Sequence, residues 1–155
     1  MDNQDVTPFV LVADDDPDDR LLIRDAFDER CNECLLCFVQ DGEELMRFLN
    51  GDPEAATPES YCGLPDLILL DLNMPLKDGR QALQEIKSDP RLRKLPTVVL
   101  TTSKSEDDVD ECYEKGANSY IIKPARYSDL LGVVQSLKTY WVDTVRLPGN
   151  AEYYE

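Results

Sequence analysis

The chain has 155 residues, 32 acidic side chains against 16 basic ones, a formal net charge of −16 and no histidine. Such a surface does not bind nucleic acid through its phosphates, an affinity that comes from lysine and arginine displacing counterions. The missing imidazole excludes Ser-His-Asp and Cys-His catalysis, imidazole metal sites and phosphohistidine within the chain. With 42% hydrophobic residues, no apolar run approaching the roughly 18 residues of a membrane span and no basic-then-apolar leader, it reads as one cytoplasmic domain, off the membrane.

The first element ends abruptly. In FVLVADDDPDD, an apolar run closing at Ala13 meets five carboxylates in six positions: Asp14, Asp15, Asp16, Asp18 and Asp19. Like charges repel, so the cluster calls for something cationic nearby. Asp16 suits the N-cap of a first helix, with Pro17 at its first position and Asp19 in its first turn. Leu21, Leu22, Ile23, Ala26 and Phe27 cover more than one face of that helix, so some of its apolar surface is expected outside.

Short apolar runs then recur at Leu35–Val39, Leu67–Leu70, Thr97–Leu100 and Tyr120–Ile122, alongside the first at Val10–Ala13. None alternates, the pattern of strands buried on both faces. Helices fit between them: GEELMRFL, then GRQALQEIKSD stopped by Pro90, then EDDVDECYEK capped by Ser105 and ended at Gly116. A last helix from about Ser128 puts Leu130, Val134, Leu137 and Trp141 on one stripe. Strand–helix repetition of this kind makes an α/β fold, a doubly wound parallel sheet with helices on both faces. Residues 50–66, with three prolines and two glycines, read as a long surface loop. The ending PGNAEYYE lacks periodicity and reads as a flexible tail.

Five cysteines are present, three of them (Cys31, Cys34 and Cys37) at intervals of three. A closed metal site would need Cys62 or Cys112 as a fourth ligand. Reduced structural thiols are the reading preferred.

In a parallel sheet every strand's carboxyl end lies on one rim, where open α/β sheets bind ligands. Asp14 and Asp15 follow the first run, Asp71 the third, Thr101 the fourth and Lys123 the fifth. Crowded carboxylates suit a hard divalent ion such as Mg²⁺ or Mn²⁺. A lysine and a hydroxyl opposite can hold an anion. The set fits a carboxylate that accepts a phosphoryl group, with metal and lysine sharing the added charge.

VLVADDDPDD, PDLILLDLNMPLKDG, LPTVVLTTS and GANSYIIKP together resemble the receiver domain of two-component response regulators, over about Phe9 to Pro148. The stretch from LLDLNMPLKDG to TTSKSEDD and the ending YWVDTVRLP are similar to single-domain regulators paired with bacterial phytochromes. The resemblance implies a flavodoxin-like (βα)5 sheet in the order 2-1-3-4-5. It implies a receiver domain over 9–148, flexible tails at 1–8 and 149–155, and no output domain. Asp71 would be the phosphoacceptor for a partner histidine kinase, expected to be a phytochrome light-sensor kinase with a non-phytochrome kinase as the alternative, and Asp14 and Asp15 the acidic metal pair. The Asn73 carbonyl would be a further metal ligand, Lys123 the phosphoryl contact with a cis bond to Pro124, and Thr101 and Tyr120 the switch pair. Such a domain is a signalling protein with intrinsic phosphotransfer and autodephosphorylation rather than a metabolic enzyme, and its first helix docks the kinase. A dehalogenase-type phosphatase would need an acid at Asn73, and a flavin carrier would not place five acids after its first strand.

The C-terminal helix carries more apolar surface than one sheet face covers. Val133 and Tyr140 flank the core stripe, Tyr113 on the fourth helix could join them, and Trp141 and Val145 prolong the surface. A symmetric homodimer through helix four, strand five, helix five and this extension is expected.

Overall fold

The computed structural model describes residues 7–52 and 63–148. Five strands, β1 (Phe9–Ala13), β2 (Leu35–Val39), β3 (Leu67–Leu70), β4 (Thr97–Thr101) and β5 (Ser119–Ile122), alternate with α1 (Pro17–Arg30), α2 (Gly42–Leu49), α3 (Gly79–Ser88), α4 (Glu106–Glu114) and α5 (Tyr127–Leu137). The strands pair in parallel in the order β2-β1-β3-β4-β5, as the receiver resemblance implies. Each of the first four helices starts at a side-chain cap. Asp16, Asp41, Asp78 and Ser105 accept from Asp18, Glu44, Gln81 and Asp108 backbone N–H groups. Those bonds satisfy donors that the first helical turn leaves free.

Side-chain alternation along β1 divides the core into two layers. Phe9, Leu11 and Ala13 pack with α2 and α3 residues such as Leu45, Leu83 and Ile86. Val10 and Val12 face the opposite way, against Ile23 and Phe27 of α1 and Leu130 and Val134 of α5. Central strands β1, β3 and β4 are buried throughout, as their unbroken apolar runs foretell. The edge strand β5 is not: Ile122 is 42% exposed, because a strand with one neighbour and partial helix cover shields less of each face. On α1, Leu21 and Leu22 are exposed while Ile23, Ala26 and Phe27 are buried, so the helix does leave apolar surface outside.

Three expectations need correction. First, Cys31 and Cys34 are joined in a disulfide rather than reduced. The α1 C-cap is Cys31, and the Cys34 N–H donates to the Cys31 carbonyl at 3.0 Å. This tight turn sets the two Cα atoms 5.6 Å apart, within bridging range. Cys37 and Cys112 are buried and not disulfide-bonded, and burial pushes the Cys112 thiol up to about 11. Second, the peptide between Lys123 and Pro124 is trans, like every other described peptide bond. Trans is the intrinsic preference of an X–Pro bond, by about 0.5–1 kcal/mol. Third, α5 passes at Lys138 into a π-helical turn ending at Thr144. The wider turn carries Trp141 off the fully buried stripe, leaving it half-buried against the α1–α5 layer.

Most of the 50–66 loop, including residues 53–62 and Cys62, and the tails at 1–6 and 149–155 lie outside the described residues. Pro8, counted above with the first tail, is tied in, since its carbonyl accepts from Leu35 N at 2.7 Å. Among the described residues no helix is long and apolar enough to cross a membrane.

Candidate functional site

The strand ends converge as the parallel topology requires. Asp14 follows β1 and Asp71 follows β3, and the Asp71 N–H donates to the Ala13 carbonyl at 3.0 Å, holding the two turns side by side. Asp14 is 1% exposed and Asp71 6%. With the exposed Asp15, they offer oxygens that all lie within 4.8 Å of one another. Thr101 ends β4 with no exposure, and its carbonyl accepts from Lys123 N at 2.7 Å. Gly79 lets α3 begin against this rim: a Cβ there would stand 2.1 Å from the Asp71 carbonyl oxygen.

Lys123 reaches into the cluster. Its Nζ lies 2.7 Å from Asp14 Oδ2, 2.8 Å from Asp19 Oδ2 and 2.9 Å from Asp71 Oδ2. One ammonium thus bridges three carboxylates, with Asp15 beside them, and cannot balance their charge. Burial alone would lower the Lys123 pKa, but the hydrogen bonds to Asp14, Asp19 and Asp71 outweigh it and hold the ammonium firmly protonated. For Asp14, burial raises the carboxyl pKa against the opposing pull of Lys123. Asp71 keeps its second oxygen toward the Asn73 N–H, at 3.3 Å, and Asn73 itself is exposed. The donor set is all oxygen and net negative, which fits a hard divalent cation held by Asp14, Asp15 and Asp71. Lys123 presently fills the cationic role between two of them.

The expected switch pair is joined through a residue not anticipated from sequence. Tyr120 Oη donates to the Ser103 carbonyl at 2.9 Å, and the Ser103 N–H points at Thr101 Oγ1 at 3.5 Å. Ser103 Oγ donates to Asp108 at 2.6 Å. Arg80, on α3, then grips Asp108 with two bonds of 3.0 and 2.8 Å. The Arg80 contact, followed by the Ser103 bond, holds the Asp108 carboxyl below the usual range. Asp19, Arg80, Ser103 and Asp108 are therefore site residues that sequence reasoning missed. Asp19 carried a faint signal as the last of the five clustered carboxylates, in the first turn of α1. Arg80 and Asp108 carried none.

The proposed dimer residues are split. Tyr113 and Tyr140 are 49% and 53% exposed. Val133 and Trp141 pack partly against their own core, Trp141 edge-on to Tyr140 with ring centroids 4.9 Å apart. Val145 is half-buried.

A sequence profile of the response regulator receiver domain matches residues 10–135. Response regulator Rcp1 of the cyanobacterium Synechocystis is 38% identical over 147 residues, covering 95% of this chain and 97% of Rcp1. The probable methanogenesis regulatory protein FilR2 of Methanothrix harundinacea is 37% identical, covering 93% and 90%. Among solved structures, the phosphorylated cyanobacterial phytochrome response regulator RcpA superposes with a TM-score of 0.84 at 39% identity, over 93% of this chain and all of that one. The Mn²⁺-bound form of Rcp1 superposes at 0.82 and 39%, covering 92% and 99%.

Proposed function

The chain belongs to the response regulator receiver family, a phosphoacceptor of two-component signalling that binds a divalent metal, and from that premise we propose that Asp71 accepts the phosphoryl group from a phytochrome histidine kinase. The observation that carries the reading is the meeting of Asp14, Asp15 and Asp71 with Lys123 at one rim.

An Asp71 carboxylate oxygen attacks the phosphorus of the kinase's phosphohistidine. A P–O bond forms, the P–N bond breaks, and the histidine leaves with the electron pair and takes up a proton. Asp14, Asp15, Asp71 and the Asn73 carbonyl would hold Mg²⁺ or Mn²⁺, which would supply charge neutralisation for the incoming oxygens. Lys123 exchanges its Asp71 contact for a phosphoryl oxygen, which returns a positive charge to where negative charge develops. Thr101 donates its hydroxyl to the same group. The Ser103 turn follows, and Tyr120 with it, so the change reaches the α4–β5–α5 face. Slow hydrolysis by water resets the acyl phosphate.

The similarity to Rcp1 and RcpA, over nearly the full length of each, supports the phytochrome assignment. The similarity to FilR2 keeps a second kinase class in play. Phosphotransfer from a panel of labelled kinases, phytochrome and non-phytochrome, separates the two. The fastest transfer is expected from the phytochrome kinase, and the label should require divalent ion, be labile to base and hydroxylamine, and vanish in Asp71→Asn. Asp15→Ala should lose the calorimetric signal of metal binding. A label that persists in Asp71→Asn overturns the phosphoacceptor assignment.

A further inference from the structure

At the edge of the sheet opposite the rim, α1 ends in a turn whose chemistry phosphorylation does not use. We propose that Cys31 and Cys34 form a reversible thiol–disulfide exchange site for low-molecular-weight thiols and their disulfides, and that its state is transmitted to the C-terminal π-helical segment. This inference is independent of the phosphoacceptor reading.

The turn is closed twice, by the disulfide and by the Cys34 N–H to Cys31 carbonyl bond of 3.0 Å. The backbone therefore has a bond to keep the two sulfurs near each other once the bridge opens. A bridge across only two intervening residues restrains the unfolded chain least, so its contribution as a permanent staple is at the low end for disulfides. Access is one-sided. Cys31 is 1% exposed whereas Cys34 is partly open to solvent, so an incoming thiolate meets Cys34 first.

The exchange balances. A thiolate attacks Cys34 Sγ, forming a mixed disulfide while the Cys31–Cys34 bond breaks and Cys31 leaves as thiolate and takes a proton. A second thiolate attacks the small-molecule sulfur, releasing Cys34 as a thiol and one small-molecule disulfide. Two electrons pass to the protein and two small thiols are oxidised. The reverse sequence closes the bridge.

The C-terminal segment is in contact with the turn. Cys31 belongs to the same buried layer as Leu130, Val134 and Leu137, and Cys34, Trp141 and Val142 pack against that layer. Glu33, between the two cysteines, lies 3.6 Å from Lys138, the first residue of the π-helical turn. Opening the bridge frees the Cys34 side chain to change rotamer, which alters the layer that Trp141 also packs on and the position of Glu33 beside Lys138. The chain's one tryptophan thus reports the state of the site.

The full chain is equilibrated over a series of glutathione to glutathione-disulfide ratios, unfolded in acid, and alkylated with a maleimide. Mass spectrometry should pass from five adducts to three as the buffer becomes oxidising, the two missing being Cys31 and Cys34. Trp141 fluorescence of the folded protein should follow the same curve, and Cys34→Ser should show neither transition. Three adducts under excess glutathione would mean a permanent staple, and five under excess disulfide would mean no exchange; either overturns the site. A switch in adducts with unchanged Trp141 fluorescence overturns the coupling. The wild-type curves decide the matter even where the variant fails to fold.

Discussion

Two cation–carboxylate assemblies stand within the same fold and are built on opposite principles. At the rim one ammonium, Lys123, faces Asp14, Asp19 and Asp71. Beside the β4–α4 turn one guanidinium, Arg80, grips Asp108 in a two-bond fork that also takes in Ser103, with Asp78 farther off at 3.8 Å. The second is matched in geometry, and its side chains are more open to solvent than those of Lys123 and Asp71 at the rim. The first is short of positive charge in a buried place, which a divalent ion and a movable lysine can relieve. Buried charge imbalance marks the proposed reactive site, and a closed two-bond fork marks the fastening that positions its neighbour.

Removing one charged member of each assembly should break this contrast most visibly. Lys123→Met leaves Asp14 and Asp71 buried without their partner, and loss of one member of a buried pair costs about 3–5 kcal/mol. In chelator the variant should unfold well below wild type, and added Mg²⁺ should restore much of the difference, because the ion takes over the missing charge. Phosphotransfer should fall by about 10²–10³-fold even with Mg²⁺ saturating. Thermal melts with and without metal, and initial rates of labelling, check both. Metal-independent stability loss would make Lys123 a plain structural partner.

Asp108→Ala should have a smaller and different effect. Loss of charged hydrogen bonds costs about 1.5–3 kcal/mol, or a Tm lower by about 5 °C, and Mg²⁺ should not restore it. Reversal of the pair, Arg80→Asp with Asp108→Arg, should recover part of the loss. The pH dependence has a definite sign. The Asp108 carboxyl is held below its ordinary value in the fold, so its stabilisation is full above the unfolded value and is lost as pH falls through the depressed folded one. Wild type should therefore lose stability on acidification across that window, and Asp108→Ala should lose less there. Because Ser103 links this pair to Tyr120 and the Thr101 turn, the variant's phosphoryl lifetime should change as well, and acid-quench decay curves measure it.

The smallest effect on folding belongs to the exposed C-terminal face. Tyr140→Glu should change stability by no more than about 0.5 kcal/mol and leave labelling intact. Sedimentation at tens of micromolar should nonetheless shift from dimer toward monomer, most clearly with a beryllofluoride phosphate mimic present. A monomeric wild type under both conditions removes the proposed interface.

Much of this was legible in the chain before folding was considered. The strand runs, the caps at Asp16 and Ser105, and the rim order of Asp14, Asp71, Thr101 and Lys123 are written in spans of a few residues. Helix capping and hydrophobic periodicity act over one to four positions, so short-range pattern determines them. Parallel topology then carries four distant strand ends to one edge without further information. What only the tertiary structure decided lies at long separation or depends on cover. Lys123 meets Asp19 across 104 residues and Arg80 meets Asp108 across 28, pairings set by sheet register and helix placement, which no local pattern encodes. The exposure of Ile122 follows from β5 having one neighbour, and the partial burial of Trp141 from the wider turn after Leu137. The Cys31–Cys34 bridge depended on where α1 stopped, because a helix ending at Cys31 is what folds the next three residues back within reach.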